Sequence, residues 1–166
     1  MTVEAPPVTL RDLAIGDAGW LIQRHAELYA QDEGFDETFE AVVAEILAAY
    51  IRNRNPDTER AFIAVSGTRR LGSIFCVQSG TPGVAKLRLF LLEPEARGLG
   101  LGKRLLTECL EYARAKNYRK MQLWTHESHR AACALYQEFG FELTASQPVR
   151  NFGVDLVEQT WEIDLV

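Results

Sequence analysis

Between Leu92 and Lys103 the chain stops a strand, runs through a short loop with glycine at positions 98, 100 and 102, and starts a helix at once. Pro94 has no donor for a ladder, so the strand ends before it. Glycines let a backbone come close to a ligand. A helix start leaves N–H groups unpaired and pointing outward, with the positive end of the helix dipole behind them. Together these features make a site for a diphosphate, and Arg97, Lys103 and Arg104 add positive charge beside it. Any fold for this chain must therefore set a strand end and a helix start side by side, open to an anionic ligand.

Two familiar nucleotide loops do not fit. In a P-loop a hydroxyl residue follows the lysine to hold magnesium, whereas Arg104 follows Lys103. A dinucleotide fingerprint has glycine at the position of Lys103, and it opens a parallel βαβ series early in the chain. This segment lies past mid-chain, after a run of antiparallel-looking strands. An ordinary tight strand-to-helix turn is the plain alternative.

Hydrophobic periodicity supplies the rest. Val8–Leu10 reads as a strand, and Asp17 as the N-cap of a helix to about Gln31. A second helix spans about Thr38 to Ile51. Ala61–Val65 and Leu71–Gln78 form a hairpin around Gly67–Arg70, and Ala85–Leu92 is the next strand. The helix from Gly100 ends near Asn117, with Leu101, Leu105, Cys109, Tyr112 and Ala113 inward. Lys120–Trp124 is a strand, and Thr125 or Ser128 caps a helix through Phe139, stopped by Gly140. Phe141–Thr144 and Leu156–Asp164 are the last two strands. The order β-α-α-β-β-β-α-β-α-β-β predicts a mixed, three-layer α/β fold around a central mixed sheet, and 166 residues without a linker predict one domain over 1–166.

Composition narrows the function classes. A net charge of −5 argues against nucleic acid, which needs a basic surface. The three cysteines, Cys76, Cys109 and Cys133, show no ligand spacing, so the expectation is free buried thiols, no metal and a reducing compartment. The N-terminal MTVEAPPVTL lacks the charge and apolar pattern of a signal peptide. No apolar run is long enough to span a membrane. The cytoplasm is the expected location.

The segment Arg97-Gly98-Leu99-Gly100-Leu101-Gly102 matches the Q/R-x-x-G-x-G/A cofactor signature of the GNAT acetyltransferases, and Ala132-Cys133-Ala134-Leu135-Tyr136-Gln137-Glu138-Phe139-Gly140-Phe141 matches their second signature. The chain resembles that superfamily over nearly its whole length. KLRLFLLEPEARGLGLGKRL, LWTH and NFGVDLVEQTWEIDL look like the acetyltransferase half of bacterial proteins that fuse a MarR-type regulator to such a domain; the regulatory half is expected to be absent. The resemblance implies a GNAT-like acyl-CoA N-acyltransferase fold, acetyl-CoA as acetyl donor, a primary amine as acceptor, and room for a homodimer.

Carried over residue by residue, the resemblance assigns the pantetheine arm to the backbone of Phe90, Leu91 and Leu92, on a strand that splays from its neighbour. It assigns the pyrophosphate to Arg97, Gly98, Leu99, Gly100, Leu101, Gly102 and Lys103. His129 stands where the family often carries Asn, and an imidazole can still donate there. Tyr136 is the implied general acid, protonating the departing thiolate; a core aromatic on an amphipathic helix is the plain alternative. Trp124 occupies a position where some members carry a catalytic Glu, which turns attention to His126 as general base. Tyr29 and Glu33 belong to the segment expected over the acceptor. Lys86 and Arg88 share one strand face. If Arg88, or Arg150 in a closing loop with Phe152, lines the cleft, the acceptor carries a carboxylate. The rival reading is a GNAT-like module that senses an acyl-CoA without turnover; a third is an interaction subunit of a larger acetylase.

Overall fold

The computed structural model describes residues 4–166; the first three residues of the N-terminal segment read above lie outside them. In chain order the elements are β1 (Val8–Arg11), α1 (Asp17–Glu33), α2 (Glu37–Asn53), β2 (Arg60–Ser66), β3 (Arg69–Gln78) and β4 (Val84–Leu92). A 3₁₀ turn (Pro94–Ala96) follows, then α3 (Leu101–Ala115), β5 (Lys120–His126), α4 (Arg130–Glu138), β6 (Glu142–Asn151) and β7 (Val154–Asp164). This is the expected order. The seven strands make one sheet, β1-β2-β3-β4-β5-β7-β6. Every neighbouring pair is antiparallel except β4 and β5.

Strand alternation sorts the core into two layers. Along β2, Phe62 and Ala64 face α3 and α4, joining Leu105, Leu106, Cys109, Tyr136 and Trp161. Ala61, Ile63 and Val65 face α1 and α2, joining Leu21, Leu28, Val43 and Leu47. Ion pairs tie α1 to the sheet. Asp17, fully buried, accepts from Arg11 Nη1 at 2.6 Å, Arg70 Nε at 2.8 Å and the Ala14 N–H at 2.7 Å. Arg24 donates twice to Glu93, each bond 2.6 Å, and so fixes α1 beside the strand end that precedes the glycine loop.

Two irregularities shape the sheet's centre. Pairing of β4 with β5 covers only Val84–Lys86 against Lys120–Gln122, while β5 pairs with β7 along its whole length. Beyond Lys86 and Gln122 the facing edges part. In addition, Leu91 pairs with Ser73 and Arg88 with Phe75, so β4 bulges between them, and Leu89 takes φ 50. The buried Ser73 hydroxyl donates to the Leu89 carbonyl at 2.6 Å and holds the bulge. The bulge reverses side-chain parity: Leu87 faces the α3–α4 layer, but so do Phe90 and Leu92.

Several boundaries differ from the sequence reading. Gly16, not Asp17, is the N-cap of α1, because Asp17 turns inward to its two arginines, and α1 runs on to Glu33 before Gly34 stops it in the left-handed conformation. Asp36 caps α2 by accepting from the Thr38 N–H. His129 is the N-cap of α4, where neither Thr125 nor Ser128 caps; Thr125 is buried within β5. The strand read as Phe141–Thr144 is Glu142–Asn151, and the expected closing loop shrinks to the two-residue turn Phe152-Gly153, φ 57 and 78. Cys76 and Cys109 are buried free thiols, but Cys133 is only partly buried.

Candidate functional site

Where β4 and β5 part, a groove of about 550 Å³ opens. Phe90, Leu91 and Leu92 form one wall, continued by Arg97 and Gly98; residues Ser128 to Ala132 and Leu135 form the other. The last turns of α1 roof it with Leu28, Tyr29, Asp32 and Glu33. The strands' unpaired inner edges present backbone N–H and C=O groups to a ligand.

The glycines serve this groove in two ways. Gly98 and Gly100 have φ near 80 (79 and 80), and a Cβ on either would meet nothing within 4 Å. Gly102 is different: a Cβ there would lie 3.1 Å from Leu92 Cδ1, so this glycine lets α3 sit close on β4. Among the described residues no side chain caps α3, and the first helical bond is from the Arg104 N–H to the Gly100 carbonyl, 3.1 Å. The N–H groups of Leu101, Gly102 and Lys103 thus lack helical acceptors. An uncapped helix start opening on empty space, at the end of a groove with free strand edges, fits a long ligand ending in a diphosphate.

The basic residues divide. Arg97 stays on the groove, 3.5 Å from Asp32. Lys103 points to Glu138 at 2.9 Å, and Arg104 to the Val8 carbonyl, so only Lys103's backbone is placed for the diphosphate. Leu99 is exposed and Leu101 is buried; each offers its backbone. Opposite Arg97, His129 Nε2 lies 3.2 Å from Glu33 Oε1, and its ring packs 4.7 Å from that of Tyr29. The end of α1 therefore bridges both walls. Burial lowers the His129 pKa, with Glu33 and Asp32 pulling the other way.

Tyr136 is almost wholly buried, its ring near Phe141 at 5.6 Å, Phe90 at 6.3 Å and Trp161 at 6.5 Å. It stands behind the groove wall, whose surface at this level is Ala132 and Leu135. Burial, reinforced by Tyr29 and Cys133, holds its phenol pKa far above the ordinary value. His126 ends β5, on the rung facing Glu158 of β7. Its ring stands edge-on to Phe35 at 5.6 Å and to Phe152 at 6.3 Å. Burial and then His129 lower its pKa, against Glu158 and Glu33, so the imidazole is neutral near pH 7.

Tyr29, Phe35, Phe39 and Phe152 close over this end, with Tyr29–Phe39 at 4.7 Å and Phe35–Phe152 at 4.8 Å. The Asp36 N–H donates to the Phe152 carbonyl at 2.9 Å, locking the β6–β7 turn to the α1–α2 loop. Trp124 is 58% exposed, with Lys86 Nζ 3.6 Å from its ring centroid. Arg88 lines a smaller cavity under α2. Arg150 stays out of the groove: it is exposed on β6 and paired with Asp155 at 3.0 Å. Sequence reasoning missed Phe39 as part of this closure, and Glu158; the short Asn151-Phe152-Gly153 turn was the available signal for the hairpin that carries both Phe152 and Glu158. Among the described residues no group of His, Cys, Asp and Glu is arranged to hold a metal ion, and no helix is long and apolar enough to cross a membrane.

The acetyltransferase (GNAT) family profile matches residues 22–141. An uncharacterised N-acetyltransferase of Schizosaccharomyces pombe is 35% identical over 118 residues, 70% of this chain and 71% of that protein. The N-alpha-acetyltransferase RimI of Mycobacterium tuberculosis is 28% identical over 143 residues, 86% and 83% of the two chains. A spermidine N-acetyltransferase from Vibrio cholerae, solved with CoA and spermine, shares the fold at a TM-score of 0.74 and 21% identity, over 95% of each chain.

Proposed function

The chain belongs to the acetyltransferase (GNAT) family and is an acetyl-CoA-dependent acetyltransferase, and on that premise we propose that it moves the acetyl group to a primary amine by direct attack on the thioester. The observation that carries the reading is the fork between β4 and β5 ending at the uncapped, glycine-lined start of α3. The names of two similar proteins, an N-alpha-acetyltransferase and a spermidine N-acetyltransferase, add support for an amine acceptor.

Bound acetyl-CoA supplies an acetyl thioester open to attack and a thiol leaving group. The open edge of Phe90–Leu92 would hold its pantetheine arm, and the N–H groups from Gly98 to Lys103 would hold its diphosphate, with Arg97 and His129 at the rims. His126, neutral near pH 7, takes a proton from the attacking ammonium directly or through water, and Glu158 on the facing rung steadies the imidazolium. Tyr136, a phenol protonated at neutral pH, is the donor assigned to the departing sulfur, which it must reach past Ala132 and Leu135.

Thiol release from acetyl-CoA, followed against a panel of primary amines from pH 5 to 8, tests this. Turnover should rise with pH and level off below the ordinary histidine value of 6.5, because the His126 pKa is lowered. The rival sensor reading rests on Trp124 standing where a carboxylate would serve as base. Tight acetyl-CoA binding with no turnover on any amine would establish that rival.

A further inference from the structure

The α1–α2 face of the sheet treats its cations unequally. Arg11 and Arg70 share Asp17, Arg24 holds Glu93, and Arg54 holds Asp12. Lys86 and Arg88, both half-buried on β4, have no carboxylate partner among the described residues. Lys86 rests over the Trp124 ring. Arg88 faces a cavity of about 160 Å³ walled by Tyr50, Phe75, Asn53, Arg54 and Glu59, whose carboxylate accepts from the Asn55 and Gln78 N–H groups and makes no ion pair with Arg88. Burial pushes both pKa values down, and the Arg88 charge pushes Lys86 further. A half-buried guanidinium without a counter-ion is partly desolvated at some cost, and a ligand anion offsets that cost.

Their position gives the anion a role. Lys86 is the last β4 residue paired with β5, so Arg88 stands two residues inside the fork, on the face away from α3 and α4. His126 occupies the other prong. Carrying the register of Lys86 against Gln122 forward sets Arg88 level with Trp124, two residues short of His126. Two rungs across one strand spacing put their Cα atoms about 8 Å apart, more as the fork widens.

We propose that the acceptor is an amine bearing a carboxylate several bonds away, as in an ω-amino acid or a short peptide, with Arg88 binding the carboxylate and Lys86 assisting. This rests on the amine-acetylation reading above. It selects Arg88 over Arg150, which already holds Asp155. Lys86 and Arg88 also form a repulsive surface for a polyamine, whose charges are all positive.

The test compares 4-aminobutyrate, 6-aminohexanoate and glycylglycine with their own amides, and with 1,4-diaminobutane. At least one acid should exceed its amide by about 10- to 100-fold in kcat/KM, the scale of a lost charge-assisted contact. In Arg88→Met that acid-to-amide ratio should collapse towards one, and in Lys86→Met it should fall part of the way. Calorimetry with acetyl-CoA on both variants reports that they are folded. Equal rates for every acid and amide, a preference for the diamine, or an acid preference that survives both substitutions would overturn the carboxylate assignment while leaving amine acetylation standing. Failure of every amine in the presence of bound acetyl-CoA would instead remove the reading beneath it.

Discussion

Tyr136 is the donor proposed for the leaving sulfur, and its surroundings say how a substitution will behave. Its ring fills space between Phe90, Phe141 and Trp161, so Tyr136→Phe preserves packing and removes only the hydroxyl. Acetyl-CoA affinity, measured by calorimetry, should change little. Turnover should fall by about 10²-fold, the low end of the range for a lost general acid, because a thiolate is weakly basic and water can substitute. The loss belongs in kcat, since the bond forms only as charge develops on sulfur. Unchanged turnover in the folded variant would leave Tyr136 as a packing residue. The sequence motif made this residue legible. Its depth behind Ala132 and Leu135 was not, because helical periodicity tells which face turns inward and not which residue reaches a cavity. Asp32 and Glu33 show the same limit. The periodicity carries the first helix only to about Gln31, yet these two residues belong to the last turn of α1 and reach Arg97 and His129 across the groove.

At the scale of elements, the start of α3 was the most legible part of the site, since glycine spacing, Pro94 and the following amphipathic run all agree on a strand, a loop and a helix. Gly100 caps that helix at φ 80 with open space where a side chain would go. Gly100→Glu should cost about 1–2 kcal/mol for a left-handed non-glycine residue, seen as a lower Tm. It should also abolish acetyl-CoA binding, because a carboxylate would enter the space proposed for the diphosphate; normal calorimetric affinity would place the cofactor elsewhere. Other elements were hidden for physical reasons. β6 is an edge strand exposed at nearly every position and contains Pro148, so it lacks the alternation that marks a half-buried strand. The bulge in β4 was invisible because Lys86-Leu87-Arg88-Leu89 alternates without a break. What shifts the register is a hydrogen bond from Ser73 on another strand, and no local pattern encodes that.

For the whole molecule, α1 couples the groove to the stability of the fold, and His25 makes that coupling sensitive to acid. The side chain is 2% exposed; Nδ1–H donates to the Leu21 carbonyl at 2.7 Å, and the buried Nε2 has no partner among the described residues. Burial lowers its pKa from 6.5 to about 4. Between those values the unfolded chain binds a proton that the folded chain refuses, so stability is full above pH 6.5 and declines as pH falls towards 4. At 1.36 kcal/mol per unit the loss approaches about 3 kcal/mol, a large share of the stability of an ordinary domain. The lowered values of His126 and His129 act in the same sense with smaller weight. Asp17, held down by Arg11 and Arg70 against its burial, adds its own loss only below its ordinary 3.8. Urea unfolding midpoints measured from pH 7.5 to 4.5 should fall steadily below 6.5. His25→Phe keeps an aromatic ring against Tyr29, the two now stacked at 6.0 Å, and removes the titration, so its midpoints should fall less over the same range. A variant whose midpoints fall as steeply as those of the parent would show that the proton enters elsewhere, and that the roof of the groove is not the acid-sensitive part of this fold.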